Sequence, residues 1–247
     1  MKRIERHRLK GNEFADSVAR ARAMMAERQR EVTTLVTVTV VAVVVVGGYF
    51  GWRGQRNAKA TNLLGSALAV AEAPVVTPPP PAPGSPPPVQ QPGTFRTEQA
   101  RLEAALPLLT RAADAYPNTE AGITARYRAA AVLADLGRYA EAEQRYQEVM
   151  AKAGRNGIYA RTARLGLGDA QLAQRKYDAA IATFKELSTD SDSQLPLDGV
   201  LMQLGRAYLQ AGKREDASRA FTRIINEFPQ SLYASEARER IEELKKA

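Results

Sequence analysis

The chain has 247 residues, no Cys, a single His (His7) and a formal net charge of +8. Without Cys it can build neither a disulfide framework nor a lipidated-Cys anchor, and one His leaves no zinc-type ligand set. The charge is also localised: residues 1–59 hold 12 basic and 5 acidic side chains, whereas residues 60–247 hold 23 and 22. A near-neutral remainder argues against the basic stripe that a nucleic-acid-binding domain needs.

Residues 1–31 form a basic tail. Within it Phe14, Val18, Ala21 and Met25 recur at spacings of three and four after Asn12, which predicts a short amphipathic helix capped by Asn12. Residues 32–52, VTTLVTVTVVAVVVVGGYFGW, carry no charge. At 1.5 Å per residue they span roughly 30 Å as a helix, the thickness of a bilayer core. Val is a poor helix former in water, but lipid leaves a single span no other way to satisfy its backbone. Nine Lys and Arg residues precede the run and only Arg53, Arg56 and Lys59 follow closely. That asymmetry keeps the N-terminus in the cytoplasm and exports the rest. The long polar lead and the poor small-x-small match at Gly51-Trp52-Arg53 argue for a retained anchor over a cleaved signal.

Residues 53–73 resume a helical pattern with Leu63, Leu64, Leu68 and Val70 among alanines. Residues 74–93 then contain ten prolines and two glycines, a composition for an extended spacer without a ladder. From residue 94 helical periodicity runs to the end. Three units repeat: GRYAEAEQRYQEVM from Gly137, RKYDAAIATFKELS from Arg175 and GKREDASRAFTRII from Gly212. Their small residues Ala142, Ala180 and Ala217 lie 38 and 37 apart, and Tyr146, Phe184 and Phe221 keep those intervals. Each unit has an upstream partner helix, clearest as LMQLGRAYLQAG, with Leu201, Leu204, Gly205, Tyr208 and Ala211.

A fourth, earlier copy is recovered from Ala105, Leu109, Ala112 and Pro117. Its first helix would be residues 53–73 and its second 94–117, with the Pro-rich stretch inserted between them. Three repeats over 118–230 and a capping helix over 231–247, started by Ser231, complete the reading. The period and the Leu201, Leu204, Gly205, Tyr208, Ala217, Phe221 and Pro229 pattern resemble the tetratricopeptide repeat. The fold class expected is therefore all-α: one transmembrane helix followed by an α-solenoid of three and a half to four helical hairpins.

No nucleophile, acid–base pair or nucleotide loop stands out. Gly166-Leu167-Gly168 follows no strand, and Asp190, Asp192 and Asp198 lack the Glu that ends a calcium loop. No catalysis, cofactor, metal or small-molecule substrate is expected. What remains is a scaffold whose concave side takes helices or peptides. The residues that should line it are Arg126, Tyr127, Arg161, Arg164, Gln171, Gln203 and Arg206. Charge reversal of Arg126, Arg164 and Arg206, read as exposed, should leave the melting temperature unchanged.

The order basic tail, span ending in Phe50-Gly51-Trp52-Arg53, Ala-rich helix and divergent repeats resembles the YfgM-like ancillary translocon subunit family. That resemblance implies a single-pass protein of the bacterial inner membrane with periplasmic repeats, and partners in the SecYEG channel or periplasmic chaperones. The Pro-rich insertion and the long tail depart from it. The last repeat is also similar to those of the Tol-Pal-associated envelope coordinator and of the barrel-assembly lipoprotein, which implies an envelope-assembly or division role instead. A structural subunit of a membrane complex is the third reading, and homo-oligomerisation is compatible with all three.

Overall fold

The computed structural model describes residues 15–23, 29–77, 90–154, 157–190 and 195–246. The expected cap Asn12, the apolar Phe14 and Met25, Asp192 and the prolines from 78 to 88 lie outside them. The chain divides into two units, Met1–Gln55 and Arg56–Ala247.

In the first unit, helix α1 covers residues 15–23, with every residue exposed. Helix α2 (Gln29–Ala71) contains both the apolar run and the Ala-rich segment that follows it, and its last turns belong to the second unit. The glycines at 47, 48, 51, 54 and 65 do not interrupt it, although each costs about 1 kcal/mol relative to alanine in water. It is one helix long and apolar enough to cross a membrane, with a mean hydropathy of 2.1 in its most apolar window and no part of that window buried. The hydroxyls of Thr34, Thr37 and Thr39 donate to the carbonyls of Arg30, Thr33 and Leu35, each at 2.8 Å. No threonine among these leaves an unpaired group on the apolar helix.

In the second unit, Ala67 of α2 is buried with Leu102, Ala105 and Leu109 of α3 (Glu98–Ala115). Between these two segments Val75 and Phe95 form a bridge in which Val76 N–H donates to Phe95 O at 2.8 Å and Phe95 N–H to Pro74 O at 3.0 Å. The chain thus departs and returns at one point. Three hairpins follow: α4 (Glu120–Asp135) with α5 (Tyr139–Lys152), α6 (Ile158–Ala173) with α7 (Tyr177–Thr189), and α8 (Leu197–Gln210) with α9 (Arg214–Glu227). Helix α10 (Ala234–Lys246) packs on α9. The Ser231 hydroxyl accepts from Tyr233 N–H at 3.0 Å and donates to Asp198 at 2.6 Å, so the cap also ties the last helix to α8. The result is the expected all-helical repeat solenoid.

The packing follows from the periodic small and aromatic residues. Phe184 and Phe221 are fully buried. A Cβ on Gly168 would stand 2.5 Å from Phe184, and one on Gly205 would be 2.7 Å from Phe221 Cζ and nearer still to Cε1. Only glycine leaves room for each aromatic ring against its partner helix. In the α4–α5 hairpin Ala130 holds the corresponding place, and Tyr146 instead rests on Gly166 of the next hairpin. The tight turns need a left-handed residue. Gly137 and Gly212 supply it at φ 74° and 72°, while Arg175 takes φ 60° in the turn between α6 and α7.

Candidate functional site

Helix α6 packs directly on both α4 and α8, whereas among the described residues α5, α7 and α9 share no comparable contact. The second unit therefore curves with the first helix of each hairpin on the inside. The inner face is built from those helices, as expected, but its seven candidate residues do not behave alike.

Arg126 is 5% exposed. It donates to Ala113 O and Asp114 Oδ1, both at 3.2 Å, and its Nε lies 3.1 Å from Glu148. The guanidinium thus straps α4 to α3 and α5 by charge, although neither Nε nor Nη1 makes a hydrogen bond to a described residue. Arg164 is also largely covered and pairs with Glu186 of α7 at 3.4 Å. Arg161 is buried at the start of α6. Gln171 is buried too, accepting from Thr183 at 2.9 Å and donating to Glu143 at 3.4 Å. The expectation that Arg126 and Arg164 are exposed charges is therefore corrected. Helical periodicity marks them as polar on an inside helix, but the adjoining helices carry acids that draw them into the packing.

Tyr127, Gln203 and Arg206 are only partly covered. Tyr127 stacks obliquely between Tyr146 and Tyr159, with ring centroids at 6.1 and 5.9 Å. Gln203 donates to Asp169 at 2.9 Å and accepts from Arg206 at 3.3 Å; Arg206 grips both carboxylate oxygens of Glu236 at 2.8 and 3.0 Å. A polar ladder thus crosses α6, α8 and α10. Sequence reasoning missed its first rung, Asp169. Burial pushes that carboxyl up to about 6, against the opposing pull of Arg206. The available signal was its spacing: Asp169 and Arg206 occupy corresponding places 37 residues apart.

Elsewhere the charges serve packing. Burial works against the charged form of Glu143, but donors from Lys176, Gln174 and Gln171 outweigh it and hold the carboxyl below its usual range. No group of three or more His, Cys, Asp or Glu that could hold a metal occurs among the described residues.

Residues 33–237 match the tetratricopeptide repeat-like domain. The chain belongs to that family. A search of curated proteins returned no match. Among solved structures, MamA from Desulfovibrio magneticus RS-1 is 18% identical, with 60% of this chain and 86% of that one covered and a TM-score of 0.46. A tetratricopeptide repeat protein from Parabacteroides merdae is 16% identical, with 60% and 55% covered and a TM-score of 0.49. YrrB, titled a TPR protein with an unusual peptide-binding site, is 19% identical, with 59% and 75% covered and a TM-score of 0.43. Repeats of this family generally mediate protein–protein contacts, and the fold is a non-catalytic scaffold type.

Proposed function

We propose that the chain is a single-pass membrane protein whose repeats form a non-enzymatic docking platform on the periplasmic side of a bacterial inner membrane, serving the Sec translocon or the chaperones beside it. One observation carries the anchored reading: the most apolar window of α2 is wholly exposed, although the solenoid it precedes buries its own apolar residues. A soluble chain does not leave Val36, Val38, Val40 and Val43 to Val46 in water. The internally bonded threonines and the exposed cluster Tyr49, Phe50 and Trp52 at the end of the run support the same reading. The family match also begins inside the apolar run, at residue 33, and continues through the repeats. The partner class rests on the resemblance of this order of segments to ancillary translocon subunits.

Of the seven candidates, Tyr127, Gln203 and Arg206 make no strap to an outer helix, and Tyr127 and Arg206 are the two we take as partner contacts. The test combines topology and crosslinking. A periplasm-active reporter placed after Ala247 should work and one at the N-terminus should not. Crosslinking mass spectrometry on native membranes should then join residues near Tyr127 or Arg206 to translocon or chaperone subunits. A cytoplasmic C-terminus overturns the orientation and the partner class together. Crosslinks only to peptidoglycan synthases or barrel-assembly subunits would replace the translocon with envelope assembly.

A further inference from the structure

On the outer side of the second unit, a polar side chain of the inner helix bridges the groove between successive outer helices. Arg126 of α4 joins Asp114 of α3 and Glu148 of α5. Gln171 of α6 joins Glu143 of α5 to Thr183 of α7, and Arg164 adds its pair with Glu186. The third groove, between α7 and α9 over α8, is different. Leu201 stands where the others have Arg126 and Arg164, Tyr208 where Gln171 stands, and Arg223 where Glu148 and Glu186 stand. Among the described residues no side chain of α8 bonds to α7 or α9.

What results is a cavity of about 260 Å³ with Leu201, Leu204 and Tyr208 in its floor and Lys185, Asp216, Arg219 and Arg223 on its rim. The Tyr208 hydroxyl makes no hydrogen bond to a described residue, and Lys185 makes no ion pair with one. Among the described residues Arg219 and Arg223 pair only along their own helix, with Asp216 and Glu227. Exposed pairs of that kind are weak and readily exchanged for a better partner.

We infer that this groove docks a short acidic segment of a partner protein, with one apolar or aromatic side chain seated on Leu201, Leu204 and Tyr208 and flanking carboxylates held by Lys185, Arg219 and Arg223. The inference rests on the scaffold reading of the repeats but uses the opposite face from Tyr127 and Arg206. Charge complementarity fixes the occupant. Three cations on the two walls outnumber the one lining acid, Asp216, the two arginines form fork-shaped carboxylate donors, and the volume admits a side chain but not a helix.

The test uses the full chain in detergent micelles and fluorescence anisotropy of labelled peptides. One peptide is a short run of Glu and Asp around a single Phe, the second replaces Phe by Ser, and the third replaces every acid by Lys. The first should bind at least about tenfold more tightly than either other, a difference of about 1.4 kcal/mol. The double variant Arg219→Glu/Arg223→Glu and, independently on the other wall, Lys185→Glu should each weaken it severalfold while helicity and melting stay near the parent's. Equal binding of the Ser peptide reduces the groove to bare electrostatics, and unchanged binding to all variants moves the site elsewhere; either overturns the inference. Inner-face crosslinks with no peptide binding would leave the scaffold standing without the groove. Groove binding without inner-face crosslinks would overturn the inner-face assignment alone.

Discussion

Asp169→Asn should stabilise the repeats, and only above a defined pH. The carboxyl accepts from Gln203 at 2.9 Å on a partly covered part of α6, and burial raises it from 3.8 to about 6. The sign follows directly. Because the folded value exceeds the unfolded one, the folded chain holds this proton more tightly. Its stabilising contribution is full below about pH 4 and is lost as pH rises through about 6. A shift of about 2 units corresponds to about 3 kcal/mol, and residual solvent contact brings the working figure to about 2–3 kcal/mol. Asparagine keeps the oxygen that Gln203 needs and removes the charge. The variant should therefore match the parent near pH 4, diverge between 4 and 6, and exceed it by the full amount at pH 7.5. In urea titrations of the full chain in micelles, followed by circular dichroism, that amounts to a midpoint shift of about 1 M at pH 7.5. Differences between the two proteins cancel groups that titrate the other way, such as Glu143. An offset independent of pH, or a variant weaker at pH 7.5, would show that the Arg206 attraction outweighs burial and that Asp169 is a sound rung of the ladder.

Removing the Arg126 strap by Arg126→Ala should cost about 2–3 kcal/mol, since Asp114, Glu148 and the Ala113 carbonyl lose a charged donor inside the fold; Arg206→Ala, at a half-exposed pair, should cost under about 1 kcal/mol in the same urea titration. Any charge-reversal test of the inner face therefore has to leave Arg126 alone. Arg175→Gly should stabilise by about 0.5–1 kcal/mol, because the φ of 60° that an L side chain resists is free to glycine, as at Gly137 and Gly212; thermal melting checks it.

The sequence by itself determined the repeat helices and their order, while residues 32–52 and 53–73, read as two segments, join in one helix. An uncharged run of 21 residues can satisfy its backbone in lipid only as a helix. The alternation of Gly168 and Gly205 with Phe184 and Phe221 at intervals of 37 residues admits little but stacked hairpins. These are local or periodic constraints, legible because each repeat touches only its neighbours. Which polar side chains face water was not legible. Arg126 and Arg206 read alike along their helices, yet one is enclosed by acids from α3 and α5 and the other reaches a half-exposed Glu236 on α10. Burial, the proton held by Asp169 and the open groove over Tyr208 depend on what adjoining helices place opposite a residue. Only the stacking of the hairpins decides that.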